Sequence, residues 1–132
     1  MTQPLFWLTL TAVAAASMWV PYILNSFVVR GPMGTMLNPT ADAKPLAAWA
    51  QRARQAHCNA IENLGAFAVL VIVAHLVGLP PEAIGTSAML YFYIRLAHFV
   101  IYTLGIPVAR TVTFLLGFGI QIYIAVQILT HL

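Results

Sequence analysis

The chain has 132 residues, of which 61% are hydrophobic and 7% charged, against roughly 45–50% apolar and about 25% charged in an ordinary soluble domain. Six basic and three acidic side chains are too few to cover a water-exposed globule of this size, and a mean hydropathy of +0.88 makes a bilayer the natural solvent. The net charge of +3 is too small for a nucleic-acid-binding surface and reads instead as membrane topology.

A spanning helix takes about 20 residues, so four spans with short connections use nearly the whole length and leave no room for a soluble domain. The single cysteine, Cys58, cannot close an intrachain disulfide and forms no CxxC redox or zinc pattern. No metal site is expected. The fold class is therefore an all-α integral membrane protein, a single four-helix transmembrane bundle over residues 1–132.

The first span is predicted over residues 5–28, a stretch without a charge. The residues before it, Met1 to Pro4, lack the basic start of a secretory leader. Pro21 lacks a backbone donor and predicts a bend in the far part of this span. Residues 30–46 are rich in Gly, Pro, Asn and Asp and read as one polar connection.

The second helix is predicted over 46–79, opening at Pro45 and stopped by Pro80-Pro81. Its length exceeds what a span requires. The third, over 82–104, contains one internal charge, Arg95, and ends at Gly105-Ile106-Pro107. The fourth, over 108–131, has Arg110 in its first turn.

Arg30, Lys44, Arg52 and Arg54 cluster around the first connection, while the second carries Glu82 and no basic residue. The positive-inside rule then puts the first and third connections in the cytoplasm and both termini on the far side of a cell (inner) membrane.

Polar groups gather toward that leaflet. With Arg52 as origin, Gln55, Asn59, Glu62 and Asn63 fall at about 300°, 340°, 280° and 20° around the second helix. Arg95, His98 and Tyr102, spaced i, i+3, i+7, share a face of the third. A charge in hydrocarbon costs roughly 2.5 kcal/mol or more, so such groups face a partner, a cavity or an interface. Glu62 and Arg95 either pair with each other or serve a ligand. Arg54 and Lys44 read as solvated or headgroup contacts; Arg30 and Arg52 fit either role. His75 reads as a packed residue, Cys58 as an inert buried thiol, and Gly117 and Gly119 as points of close helix packing.

Two blocks carry a resemblance. The run Arg52 to Asn63, RARQAHCNAIEN, resembles an Arg-x-x-[Arg]-Ala-x-x-Asn-x-x-Glu signature. Arg95-x-x-His98-x-x-x-Tyr102 followed by Gly105-Ile106-Pro107-Val108-Ala109-Arg110-Thr111 is similar to a third-helix motif and the arginine that opens a fourth helix. Both belong to the membrane-associated proteins of eicosanoid and glutathione metabolism, the MAPEG family, and the microsomal glutathione transferases in particular. The resemblance implies a homotrimer that binds glutathione as co-substrate between subunits near the cytoplasmic face and turns it on a lipophilic electrophile. It assigns glutathione contacts to Arg30, Arg52, Asn59, Glu62, Arg95, His98 and Tyr102, and thiol activation to Arg110.

The charges agree with that ligand. Glutathione carries two carboxylates and one ammonium, and this leaflet offers several guanidiniums and one deep carboxylate. Two positions depart from the pattern: Gln55 stands where an arginine is common, and Phe114 where some members have a tyrosine. These departures favour generic conjugation or peroxide reduction over eicosanoid synthesis. They also keep open a catalytically silent binding or scaffold protein. A small proton-coupled multidrug transporter would need Glu62 to replace the absent first-helix carboxylate, and a haem bundle would need His75 and His98 on facing helices.

Overall fold

The computed structural model describes residues 1–131, and every element among them is helical. The first crossing, Gln3–Met36, is built from α1 (Gln3–Ser17) and α2 (Val20–Met36). Three more follow: α3 (Ala48–Leu76), α4 (Pro81–Leu104) and α5 (Pro107–His131). All four crossings are long and apolar enough to span a membrane, and the chain is an integral membrane protein.

The α1/α2 break at Met18-Trp19 has its cause in Pro21. Proline has no N–H for the Ser17 carbonyl and its ring crowds that oxygen. Helical bonding is in place again at Ile23, whose N–H donates to the Trp19 carbonyl at 3.1 Å.

The expected loop over 30–46 is shorter than the composition implies. The helix runs through Arg30, kinks at Gly31 (φ 72°, ψ 175°) and continues to Met36. Glycine takes that left-handed φ without strain, and Pro32 behind it suits the first turn of a restarted helix. Pro45 does not open α3. The helix starts at Ala48, and the N–H of the capping residue Ala47 donates to Asn25 Oδ1 of α2 at 3.0 Å.

α3 buries Ala50, Ala53, Ala56, Ala60, Phe67, Val71 and Ala74 at helical spacing. Small side chains let backbones approach closely, which matters in lipid, where no hydrophobic force draws helices together. α4 answers with Ile84, Gly85, Ala88, Tyr91, Arg95 and His98. Phe67 stacks on Tyr91 with ring centroids 3.8 Å apart. Gln121 of α5 donates to Tyr91 Oη at 3.1 Å and to the Asn63 carbonyl at 3.2 Å. Polar groups at this depth have no water to turn to, so α3, α4 and α5 satisfy one another. α1 packs on α3 and α4, whereas α2 rests on α3.

α4 ends at Gly105 in the left-handed conformation (φ 78°, ψ 34°). Arg52 Nε donates to the Thr103 carbonyl there at 2.9 Å, so its guanidinium offsets the negative end of the helix dipole. A Cβ on Gly105 would lie 3.0 Å from Arg52 Nε, whereas a Cβ on Gly119 would meet nothing within 4 Å. Gly105→Ala is therefore expected to cost about 1–3 kcal/mol through backbone strain, lowering the thermal unfolding midpoint in detergent. Gly119→Ala should stay within about 0.5 kcal/mol of wild type.

Candidate functional site

The polar face of α3 opens on a cavity of about 610 Å³ at the end of the bundle that carries the first and third connections. It is lined by Arg30 from α2, Pro45 and Leu46 from the connection, Gln51, Arg54, Gln55, Cys58, Asn59 and Glu62 from α3, and Tyr102 from α4. With Cys58 as origin, the α3 residues span about −40° (Arg54) to about 100° (Asn59), while Ala53, Ala56, Ala60 and Phe67 lie near 160–220°. The alanines that dock α3 against the bundle thereby turn the opposite face toward the cavity.

Four of the residues singled out in the sequence meet in this cavity: Arg30, Asn59, Glu62 and Tyr102. Arg30 is held by its Nε, which donates to the Lys44 carbonyl at 2.6 Å. Tyr102 Oη donates to Gln55 Oε1 at 3.2 Å. Glu62 is exposed and stands in the wall as a carboxylate available to a cation. It does not pair with Arg95, one of the two arrangements the sequence left open.

The other four stand behind the wall. Arg95, 5% exposed, donates from Nη2 to Asn59 Oδ1 at 2.6 Å and fits beside Gly117, where a Cβ would sit 3.6 Å from its side chain. It orients a cavity residue rather than touching the space itself. Arg52 is spent on the end of α4. His98 lies between α4 and α5, its Nδ1 2.9 Å from Thr113 Oγ1. The Thr113 hydroxyl donates to the Ala109 and Arg110 carbonyls, both at 3.0 Å. The buried Nε2 of His98 has no partner. Arg110 lays its guanidinium over the Tyr102 ring, 4.7 Å from the centroid, one aromatic ring away from the cavity.

Sequence reasoning missed Gln51, Arg54 and Cys58. Arg54 is exposed, as expected of a solvated residue, and also lines the cavity, while Cys58 is exposed at the wall rather than buried. The signal was present: Arg54, Cys58 and Glu62 stand i, i+4, i+8, as do Gln51, Gln55 and Asn59, but an origin at Arg52 centred the stripe about 60° away from the true opening. Two smaller expectations also change. His75 is exposed, and of the two glycines only Gly117 sits at a close approach, since a Cβ on Gly119 meets open space. No group of three or more potential metal ligands occurs among the described residues.

Chemically, the cavity offers two guanidiniums, one carboxylate, three carboxamides and a phenol, a set suited to a small ligand with anionic ends and a cationic one. The class defined by this architecture is the four-span helical membrane bundle, here with a polar cavity at one end of its helices. The sequence profile of the MAPEG family matches residues 5–130, and the chain belongs to that family. Membership places it among membrane proteins of glutathione or eicosanoid metabolism, a family that includes glutathione transferases and related enzymes. A search of curated proteins found no match.

The Arg95–Asn59 bond makes a measurable forecast. Asn59→Leu strands a buried guanidinium and should destabilise the bundle by about 3–5 kcal/mol, whereas Asn59→Leu with Arg95→Met removes both partners and should recover most of that loss. Thermal unfolding of the two single variants and the double variant in detergent gives the coupling.

Proposed function

We propose that the chain is a membrane-embedded glutathione transferase or peroxidase that activates the glutathione thiol for attack on lipophilic electrophiles or hydroperoxides. The observation that carries this reading is the charge set of the cavity: Arg30 and Arg54 against one carboxylate, Glu62. Glutathione presents the complement, two carboxylates and one ammonium. Arg30 and Arg54 take the carboxylates through charge-assisted bonds, Glu62 takes the ammonium, and Gln51, Gln55 and Asn59 bond the peptide groups. Arg52, Arg95 and His98 act at one remove, by holding α4, Asn59 and α5 in place.

The sulfur belongs near Tyr102, where Arg110 stands behind the ring. A free thiol has a pKa of about 8.5, and a fixed cation nearby lowers it by favouring the thiolate. The thiolate attacks an electrophilic carbon, forming a carbon–sulfur bond while the leaving group departs with its electron pair. With a hydroperoxide, sulfur attacks oxygen, the O–O bond breaks and the alcohol leaves. A second glutathione thiol then displaces water to give the disulfide. The electrophile reaches the site from the bilayer, so membrane partitioning concentrates it. In this reading the cavity is closed by a neighbouring copy in a homotrimer, with the first and third connections on the cytoplasmic side.

A specific observation supports a second reading. Arg110 is committed to the Tyr102 ring rather than the cavity wall, which suits a binding or scaffold protein that holds glutathione without turnover. Calorimetry and an electrophile panel separate the two. On the enzymatic reading, adding glutathione at neutral pH gives a thiolate absorbance difference. Arg110→Ala shifts its appearance up toward pH of about 8.5 and slows conjugation by about 10²-fold, with binding changed little. Equal rates in wild type and Arg110→Ala overturn the role given to Arg110. Arg54→Gln should raise the glutathione KM about tenfold or more with a smaller effect on kcat, from loss of one charge-assisted contact.

A further inference from the structure

A second hollow, separate in lining from most of the glutathione cavity, lies inside the first connection. It measures about 330 Å³ and is walled by Val29, Arg30, Met33, Gly34, Leu37, Asn38, Pro39, Thr40, Ala43 and Lys44. The lining is divided. Arg30, Lys44, Asn38 and Thr40 supply two cations and two hydrogen-bonding groups, and Val29, Met33, Leu37, Pro39 and Ala43 supply an apolar half.

The kink at Gly31 creates this arrangement, because it turns Pro32 to Met36 away from the line of α2. The turned segment leaves Met33 66%, Met36 73% and Leu37 59% exposed, and Val28 just before it 84% exposed. Apolar side chains at the end of a spanning helix belong at the headgroup–acyl boundary, not in water. Arg30 Nε is already bonded to the Lys44 carbonyl, which fastens the two cationic residues to one another through the backbone and leaves the Lys44 ammonium unspent; Arg30 lines both cavities, and its two outer guanidinium nitrogens can serve one anion on each side. Asp42, the one carboxylate of the connection, does not line the hollow.

We propose that this hollow binds one anionic phospholipid per chain, its phosphate between Arg30 and Lys44 and its glycerol and upper acyl segments along Val29, Met33 and Leu37. Two cations with no carboxylate in the same wall favour an anion, and on the topology read from the charges of the connections the cytoplasmic leaflet supplies one. A free inorganic anion would leave the apolar half unused. A water-soluble peptide would have to reach side chains set in the headgroup boundary.

The test uses the full chain purified from vesicles of equal parts phosphatidylglycerol and phosphatidylcholine, with retained lipid counted by native mass spectrometry. Wild type should keep one phosphatidylglycerol per chain, preferred over phosphatidylcholine by about tenfold. Lys44→Glu should abolish the preference and Lys44→Gln should reduce it. Met33→Gln alters no charge yet should also lower retention, which a diffuse surface-charge effect cannot produce. Lys44 and Met33 are exposed, and unchanged thermal midpoints verify that the variants fold. Equal retention of the two lipids, wild-type retention in Lys44→Glu and Met33→Gln, or displacement of phosphatidylglycerol by millimolar inorganic phosphate would each overturn the proposal, the last by identifying a free-anion site.

Discussion

The bond from Arg95 to Asn59 shows the constraint under which the rest of the molecule is built. A guanidinium about 14 Å from the end of α4 lies inside hydrocarbon, where no water competes for its donors. The α3–α4 contact must therefore deliver an acceptor to it. That delivery is helped by the small buried face of α3, with Ala53, Ala56 and Ala60, which lets neighbouring helices come close enough for a 2.6 Å bond. Small residues thus set the distances, polar groups fill them, and the cavity occupies the face of α3 left over.

This division of labour explains why residues that look alike in the sequence differ in use. Arg52, Arg54 and Arg95 are all guanidiniums of the basic end. Arg52, on the flank of α3 between its buried and open faces, turns to the carbonyl end of α4. Arg54, two residues on, faces the cavity. Arg95 is enclosed. A family signature records that an arginine stands at a position, but whether it touches a ligand, caps a helix or orients an amide depends on about 100° of rotation per residue and on the neighbouring helix.

The four spans were legible because each is a long apolar run bounded by proline, glycine or charge. The convergence of Arg30, Asn59, Glu62 and Tyr102 was legible in part, since two of these lie on one stripe of α3. Three features were not. The extra turn after Arg30 was hidden by Gly31, Pro32 and Gly34, whose composition signals a loop although one glycine kink lets the helix resume. The late start of α3 was hidden because Pro45 is a good opening residue, while the backbone N–H of Ala47, just before the helix, is held by Asn25, 22 positions away. The cavity side of α3 was hidden because periodicity gives relative angles only. The absolute direction comes from where the alanines dock, and that requires the position of α4.

Gln55 now has a physical account. The family pattern that this sequence resembles often has an arginine at this position, and the glutamine found here leaves that point of the wall uncharged. On α3, Arg54 and Gln55 lie at about −40° and 60° from the Cys58 direction, one on each side of the same opening, so an arginine at either position can reach a ligand in between. For the proposed glutathione ligand, charge neutralisation depends on the sum of nearby charges, so an arginine at either position would serve it. Orientation differs between the two, because a bidentate grip fixes the carboxylate plane to the guanidinium that holds it. Gln55 meanwhile gains a new task, accepting from Tyr102 Oη and so fixing the ring on which Arg110 rests. Gln55, Tyr102 and Arg110 thereby form one line of contacts from the cavity wall to the arginine proposed to activate the thiol.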